Sequence, residues 1–321
     1  MDNKILKIKS IQDLESVQHE DRWLIESIWL DQGIGILVAP PKSNKTWLGL
    51  EMALSITTGT PFLGQYPVPR AKRVLFLNAE DRESIQKERL DMMMRGRGIP
   101  KNDNLGILTA SDRLLLDTKQ GVEELRRVIS SYKADLLILD PWVRLNSATS
   151  ENDARAVAEV LHTLRSIRDD LKCGILLVHH ASKDSANKRA GDRIRGSSEF
   201  FAWAETIIGL NKNKDGIITM GIEHRSASSV QAVPIILKSD SDTASLLTAQ
   251  MNPASTIQAD ASPSIDDKIL NAVQSRVTPT KFETLLFLVQ SEDELRSVLY
   301  RLLKSKSLRY TVRGYLRGDC Q

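Results

Sequence analysis

The strongest constraint on the fold is an alternation of short apolar runs with longer amphipathic stretches between residues 34 and 237. Four runs rich in Ile, Leu and Val have the length of buried strands: Ile34–Val38, Arg73–Leu77, Asp135–Leu139 and Gly174–Val178. Between them, Thr46–Thr58, Val122–Tyr132 and Ala154–Leu171 carry apolar residues at helical spacing. Because strands that alternate with helices form parallel sheets, the pattern predicts an α/β core with a mainly parallel central sheet.

The pattern changes after Arg195. Three strand-like segments, Thr206–Leu210, Gly216–Glu223 and Val233–Leu237, follow one another with no long helical stretch between them. Strands joined by short connections pair as hairpins, so we expect antiparallel strands to extend one edge of the sheet.

The C-terminal part differs in composition. Ser239–Ser264 is rich in Ser, Thr, Ala and Asp, which is typical of a flexible linker. Beyond it, Ile265–Ser275, Pro279–Leu288 and Glu292–Lys304 predict three helices, and Ser307–Leu316 predicts a β-hairpin. This order is that of a winged helix-turn-helix. The predicted organisation is therefore an α/β core domain at 1–238, a linker at 239–264 and a small α+β domain at 265–321.

Composition excludes several classes of protein. The chain has 321 residues, enough for about two domains, and a net charge of +3, so any basic surface must be local. Cys173 and Cys320 are far apart in sequence and indicate neither a zinc site nor a disulfide framework. The N-terminal residues carry no signal-peptide core, and no apolar run has the length of a membrane span. We expect a cytoplasmic protein without membrane contact.

The first predicted strand leads into the segment APPKSNKT, residues 39–46, and then into a helix. This is the context of a phosphate-binding P-loop, although Ala39 and Asn44 replace the two glycines of its usual pattern. Asn tolerates a left-handed backbone better than most residues, so the loop is still expected to form. The alternative is an ordinary helix start after a strand. The predicted nucleotide-binding residues are Ala39, Pro40, Pro41, Lys42, Ser43, Asn44, Lys45, Thr46 and Trp47.

Three further strands end in polar residues. The strand before Glu80 ends in a carboxylate pair, and Glu80 is predicted to orient an attacking water. The strand LLILD ends in Asp140, which with Thr46 is predicted to bind Mg²⁺. A fourth strand ends in His179 and His180, where a polar group could sense the γ-phosphate of ATP. Each feature alone is also compatible with an ordinary loop, and it is their order that favours ATP binding.

A basic segment follows the two histidines. Residues 181–196 read ASKDSANKRAGDRIRG, and such a loop beside a phosphate sensor is a candidate contact for single-stranded DNA. The alternative is a solvated surface loop. The predicted DNA-binding residues of this segment are Lys183, Lys188, Arg189, Arg193 and Arg195.

From Trp23 to Leu237 the chain resembles the RepA-like branch of the RecA-type ATPases, the plasmid hexameric replicative helicases and their relatives. The resemblance is carried by the motifs ILVAPPKSNKTWL, TGTPFLGQYPV, VLFLNAED, LLILDPW, LLVHHASK and RGSS. It implies ATP hydrolysis at subunit interfaces, and self-association in a hexameric ring. It also implies that Lys45 and Thr46 hold phosphates and Mg²⁺, that Glu80 is the catalytic carboxylate, and that His180 or His179 is the sensor.

The resemblance further implies an arginine supplied by a neighbouring subunit. In RepA-like helicases this arginine is expected a short way after the RGSS motif, where the chain has Glu205. DnaB-type relatives use a later strand, which makes Arg225 the first candidate and Arg195 the second. Because such an arginine contributes on the order of 10³–10⁵ in rate, a poorly placed one would give a slow switch instead of a motor.

The C-terminal segment resembles a winged helix. Its third predicted helix would bury Leu295, Val298, Leu299, Leu302 and Leu303. In a winged helix the third helix enters the major groove and the wing contacts phosphates. The basic residues predicted to contact duplex DNA are Lys304, Lys306, Arg309 and Arg313. The alternative is a winged helix that binds protein, with these charges on a solvated face.

Together these features predict a DNA-associated ring ATPase of a plasmid, phage or integrated element, similar to a replicative helicase, that uses ATP and Mg²⁺. One alternative is an ATP-controlled DNA-binding regulator. Another is a recombinase-like filament on single-stranded DNA that separates no strands. A small-molecule kinase is a more remote fourth, because the chain has an additional C-terminal domain and no evident lid.

Overall fold

The computed structural model describes seven stretches of the N-terminal part and a set of shorter pieces beyond them. The seven stretches are residues 10–13, 22–100, 103–109, 114–146, 153–181, 198–213 and 217–248. The shorter pieces are residues 269–270, 272–273, 285, 295, 298–299, 302, 308–311 and 314–317. The chain divides into two compact units, Met1–Ala249 and Gln250–Gln321.

In its described residues, the first unit contains five α-helices: α1 (Lys45–Thr58), α2 (Glu83–Arg97), α3 (Lys119–Tyr132), α4 (Ala154–Leu171) and α5 (Glu199–Trp203). Short 3-10 helices lie at Ile11–Asp13 and Trp142–Arg144. The side chains of Thr118 and Asp153 accept backbone N–H groups at the starts of α3 and α4, as capping residues do. Among the described residues, no helix is both long and apolar enough to cross a membrane.

The strands of this unit are β1 (Trp23–Ile25), β2 (Trp29–Leu30), β3 (Ile34–Ala39), β4 (Val74–Asn78), β5 (Leu105–Leu108), β6 (Leu136–Asp140), β7 (Gly174–His180), β8 (Thr206–Lys212), β9 (Ile218–His224), β10 (Val230–Ser239) and β11 (Ala244–Thr248). The last nine form one sheet in the order β11-β10-β9-β8-β3-β7-β6-β4-β5. All neighbours from β8 to β5 are parallel, and β9, β10 and β11 pair antiparallel. The predicted fold class, an α/β core with a mainly parallel sheet extended by hairpins, is confirmed.

Two apolar clusters cover the two faces of the sheet. Alternate strand residues, such as Leu37 and Val38 on β3, belong to opposite clusters because successive side chains of a strand point to opposite faces. The first cluster contains residues of α1 and α2, and the second contains residues of α3, α4 and α5. The central strands β3, β4 and β6 are buried along their whole length, which explains their continuous apolar sequences.

The structure corrects the predicted start of the linker. Ala244–Thr248, inside the segment predicted as a linker at 239–264, is strand β11 and pairs with β10. Ala244 and Leu246 are buried in this strand, and the residue between them is only half-buried. This alternation is typical of a strand, although the composition of the segment is typical of a linker. The rest of the predicted linker lies outside the described residues.

The second unit, as far as it is described, has helical residues and one hairpin. The hairpin pairs β12 (Leu308–Thr311) with β13 (Gly314–Arg317) antiparallel, at the position predicted for a wing. A buried apolar cluster comprises Ile269, Val273, Leu285, Leu295, Val298, Leu299 and Leu302. Four of the five core residues predicted for the third helix are thus buried, and Leu303 lies outside the described residues. That the unit is a winged helix stays a prediction.

Candidate nucleotide-binding site

The P-loop forms with its unusual sequence. Asn44 has φ 63° and ψ 28°, in the left-handed region, and Lys42 also has a positive φ, 57°. The hydroxyl of Ser43 donates to the Pro40 carbonyl oxygen at 2.5 Å, and Lys45 Nζ donates to the same oxygen at 3.2 Å. Asparagine is among the few residues other than glycine that adopt this conformation readily, so Asn44 allows the loop to close without the usual glycine.

Lys45 opens α1 and is half-buried. Burial lowers the pKa of Lys45, while the negative charges of Asp140 and Glu80 act in the opposite direction. The two carboxylates therefore lie within electrostatic reach of the Lys45 ammonium, although the three residues come from three different segments. Such a cation beside the free N–H groups of a helix start is suited to phosphate.

Asp140 ends β6 and is buried, with 3% of its surface exposed. Burial raises the pKa of Asp140 to about 6, an effect opposed by a hydrogen bond from Thr46 and by the charge of Lys45. Its Oδ2 atom is buried and accepts no hydrogen bond from any residue that the structure describes. A buried carboxylate oxygen beside a threonine hydroxyl is a donor set that fits Mg²⁺, which prefers oxygen ligands.

Glu80 lies in the turn after β4, beside the end of β6. Asn78 and Asp140 are paired in register, and the Ala79 N–H donates to the Asp140 carbonyl oxygen at 2.7 Å. The Glu80 side chain is exposed, and its carboxylate makes no hydrogen bond or ion pair with the described residues. An exposed carboxylate within electrostatic reach of a lysine ammonium can accept a proton from water.

The two histidines at the end of β7 have different surroundings. His179 is buried, its Nδ1 lies 2.8 Å from the His180 carbonyl oxygen, and its ring contacts Phe200 edge-on at 4.6 Å between centroids. His180 is half-buried and pairs in register with Ala39, the first P-loop residue. The register favours His180 over His179 as the group next to the nucleotide.

These residues meet where β3, β4, β6 and β7 end, an edge that we name the carboxyl edge of the sheet. Ligands of open α/β sheets bind outside this edge. With the geometry described, the comparison with known families is decisive: the family model of the AAA domain matches residues 3–186. The chain belongs to the AAA domain family. Its P-loop, Glu80, Asp140 and both histidines all lie within the matched residues.

Membership of the AAA domain family makes the chain a nucleotide-binding protein of the ATPase type. Among solved structures, the chain is similar to a KaiC-like protein from the hyperthermophilic archaeon Pyrococcus horikoshii OT3. The two are 18% identical, the alignment covers 70% of this chain and 93% of that one, and the TM-score is 0.48.

Two of the positions considered for the arginine finger, Glu205 and Arg225, lie at the opposite edge, where β3 and β8 begin and β9 ends, which we name the amino edge. Arg195, the second candidate, lies outside the described residues. Glu205 carboxylate oxygens accept from the Ile34 N–H at 3.4 Å and from Arg168 at 3.3 Å. Arg225 is exposed, its N–H donates to the Glu205 carbonyl oxygen, and its guanidinium donates to the Ala202 carbonyl oxygen. The Glu205 side chain therefore links the start of β3 to Arg168 within one protomer.

The predicted DNA-contacting residues are mostly outside the described part of the chain. Lys183, Lys188, Arg189, Arg193 and Arg195 all lie there, as do Lys304, Lys306 and Arg313. Arg309 belongs to β12, of which the backbone pairing with Leu316 is described. Their roles remain predictions.

Asn78 and Arg89 take part in the site but were assigned no role from the sequence. Asn78 is buried at the end of β4 and makes hydrogen bonds on both sides of Glu80. Arg89 forms an ion pair with Asp81 across the first turns of α2. The sequence does contain a signal for Asn78, which is the polar last residue of an otherwise apolar strand. It contains no comparable signal for Arg89, because the sequence pattern does not predict the helix α2.

Proposed function

We propose that the chain hydrolyses ATP and works as a DNA-associated ring ATPase similar to the replicative helicases of plasmids and phages. The observation that carries the ATPase part is the meeting of Lys45, Thr46, Asp140 and Glu80 at the carboxyl edge. The ring and the DNA come from the sequence resemblance described above.

In this proposal each side chain has one task. Lys45 and the N–H groups at the start of α1 bind the β- and γ-phosphates and neutralise charge that develops during transfer. Thr46 and Asp140 would hold Mg²⁺, which supplies further neutralisation of the phosphate oxygens. Glu80 orients the attacking water and accepts its proton. His180 lies beside the P-loop strand, where it would respond to the γ-phosphate.

The position of Arg225 determines how this residue could take part in hydrolysis. It follows His224, which pairs with Thr206 at the start of β8, and Thr206 lies beside Gly35 on β3. The four residue steps from Gly35 to Ala39 span about 13 Å of strand, so the Arg225 guanidinium is remote from the P-loop of its own protomer. A contribution of Arg225 to hydrolysis would therefore come from a neighbouring copy.

The proposal is tested by measuring ATP turnover with and without single-stranded DNA, together with strand displacement on a forked duplex. A motor should show DNA-stimulated turnover and displacement, both absent in Lys45→Ala. Turnover without displacement in any salt or nucleotide condition would contradict the helicase part and leave the ATPase part standing.

Action in trans is tested by mixing subunits. Arg225→Ala subunits added to wild-type subunits should reduce turnover more steeply than simple dilution, because each variant subunit disables its neighbour's site. A linear decline in turnover would contradict a finger in trans at this position.

One observation favours a second candidate, an ATP-controlled DNA-binding switch. Glu205, at the place where RepA-like helicases are expected to have an arginine, is engaged by Arg168 and by the Ile34 N–H. A switch of this kind should assemble on ATP, hydrolyse it slowly and protect a defined duplex sequence. Deleting residues 265–321 should abolish that protection. If duplex binding survives the deletion, the C-terminal unit is not the DNA reader.

A further inference from the structure

The turn that carries Glu80 is built around the buried side chain of Asn78. This residue ends β4 and is 1% exposed. Its Oδ1 accepts two hydrogen bonds, from the Glu80 N–H at 3.0 Å and from the Asp81 N–H at 2.9 Å. Its Nδ2 donates to Asp81 Oδ2 at 3.0 Å. One buried amide therefore fixes the backbone on both sides of the Glu80 Cα atom.

Asp81 is held from its other side by α2. Arg89 forms an ion pair with Asp81 Oδ2, and both side chains are about three-quarters buried, at 26% and 24% exposure. The Arg89 guanidinium also lies over the Trp47 ring, 5.8 Å from its centroid, in the range of a cation–π contact. Because Trp47 follows Thr46 in α1, the turn after β4 is connected to the start of the P-loop helix.

The two adjacent carboxylates thus have different surroundings. Asp81 is engaged by Asn78 and Arg89, whereas the Glu80 carboxylate has no hydrogen bond to any described residue. Glu80 nevertheless acts electrostatically on Lys45 and on Asp140. Of the pair, Glu80 is the carboxylate left available for chemistry.

We propose that Asn78 is a positioning residue for hydrolysis. Together with Asp81 and Arg89 it forms a clamp, the Glu80 clamp, that holds the Glu80 carboxylate towards Lys45 and Asp140. The proposal rests on the proposed function, in which Glu80 orients the attacking water. None of the three clamp residues belongs to the segment predicted to hold phosphates, so loss of the clamp should affect turnover and leave nucleotide affinity unchanged.

The test uses Asn78→Ala, Asn78→Asp and the exchanged pair Asn78→Asp/Asp81→Asn in the full chain. Asn78→Ala removes all three hydrogen bonds. Asn78→Asp keeps the oxygen that accepts the two backbone hydrogen bonds but places a second carboxylate beside that of Asp81, which it repels. The exchange restores an amide donor opposite a carboxylate acceptor. A matched control is Asn104→Ala, which removes an amide hydrogen bond to the Thr57 carbonyl oxygen near the start of β4.

Misplacement of a catalytic group by about 1 Å can cost about 100-fold in rate, so kcat should fall by about 10- to 100-fold in both single variants. KM and the Kd for a non-hydrolysable ATP analogue should stay within about twofold of wild type. The exchanged pair should recover part of kcat, because it restores the amide–carboxylate hydrogen bond but replaces the Arg89 ion pair with a contact to a neutral amide. Asn104→Ala should turn over like wild type.

Three results would overturn the proposal. Single variants that keep wild-type kcat would show that the clamp does not position Glu80. A fall in kcat matched by loss of analogue binding and of melting temperature, without recovery in the exchanged pair, would show a structural role alone. A wild-type protein that binds the analogue but hydrolyses no ATP would refute the proposed ATPase function itself, and the clamp with it.

Discussion

The carboxyl edge and the amino edge of the same sheet differ in whether their polar side chains have hydrogen-bond partners among the described residues. At the carboxyl edge, Asp140 Oδ2 is buried without a hydrogen-bond partner among the described residues, and Glu80 is exposed with none. At the amino edge, Glu205 accepts from Arg168 and Ile34, and His224 contacts the Thr206 hydroxyl at 3.0 Å and the Ser27 carbonyl oxygen at 3.1 Å.

This difference separates side chains that hold the fold together from side chains kept for a ligand. A buried polar atom without a partner carries a free-energy cost of about 1–3 kcal/mol, and a bound group that supplies the missing partner offsets it. Polar groups that satisfy one another stabilise the protomer and have little left to offer a ligand. The carboxyl edge therefore has the unsatisfied polar groups expected of a ligand site, and the amino edge is a structural junction that also presents the exposed Arg225.

The largest contrast is expected from removing the catalytic carboxylate. Glu80→Gln keeps size and polarity but cannot accept the proton from water, so kcat should fall by about 10²–10⁴-fold with ATP binding retained. Glu205→Gln, at the amino edge, should keep kcat within about twofold. Steady-state turnover of both variants measures this difference. Equal losses of kcat in the two variants would contradict the assignment of catalysis to the carboxyl edge.

The second contrast concerns pH in Mg²⁺-free buffer. Burial raises the pKa of Asp140 to about 6, above the roughly 3.9 of an unfolded aspartate. Between these values the folded protein keeps a proton that the unfolded chain releases, so the free energy of unfolding should fall as the pH rises from about 4 to about 6. The fall is on the order of 3 kcal/mol, and above pH 6 it is complete.

Denaturant unfolding across this pH range checks the prediction, with Asp140→Asn as the control. The control lacks the titrating group, so its stability should change less between pH 4 and pH 6. Parallel curves for the two proteins would mean that Asp140 is not the buried acid.

A smaller effect is expected at the amino edge, on stability instead of turnover. Removing the Glu205 charge with Glu205→Gln weakens two partly buried interactions, which should lower the free energy of unfolding by about 1 kcal/mol. Arg168→Gln should have a similar cost, and the double variant should lose less than the sum because the two side chains interact. Strict additivity would exclude the Arg168–Glu205 interaction as a contributor.

The smallest effect is expected in the P-loop backbone. Asn44 has a left-handed conformation, so Asn44→Gly should leave stability within about 0.3 kcal/mol of wild type, whereas Asn44→Ala should lower it by about 1 kcal/mol. Thermal melts of the two variants make the comparison. If alanine is tolerated as well as glycine, the left-handed conformation is not required for the loop.

Much of the core was predictable because its signals are local. The strands β3, β4, β6 and β7 are continuous apolar runs. Strand β3 leads into the P-loop, β4 ends two residues before Glu80, and β6 and β7 end in Asp140 and His180. Helix α2 and strand β5 were not predicted. In α2 only Gln86 and Met93 are buried, and β5 is half-buried throughout, so neither has the periodicity that indicates an element.

The parts of the site that the sequence did not predict depend on contacts between elements. The ion pair of Arg89 with Asp81 requires the helix α2 to be in place, and the different surroundings of His179 and His180 require the packing of Phe200. The strand β11 lies in a segment whose composition resembles a linker, and its burial is visible once β10 is beside it. Each of these features depends on tertiary packing, which a local sequence pattern does not predict.

The central claim is that the nucleotide binds at the carboxyl edge, and equilibrium binding of a fluorescent ATP analogue with Mg²⁺ tests it most directly. Wild type and Glu205→Gln should bind with similar Kd, because the Glu205 carboxylate lies at the amino edge and is engaged by Arg168 of its own protomer. Lys45→Ala should bind at least about 100-fold more weakly, since it loses the cation that interacts electrostatically with both Asp140 and Glu80 at the start of α1. Unchanged binding by Lys45→Ala, or loss of binding in Glu205→Gln, would contradict the account.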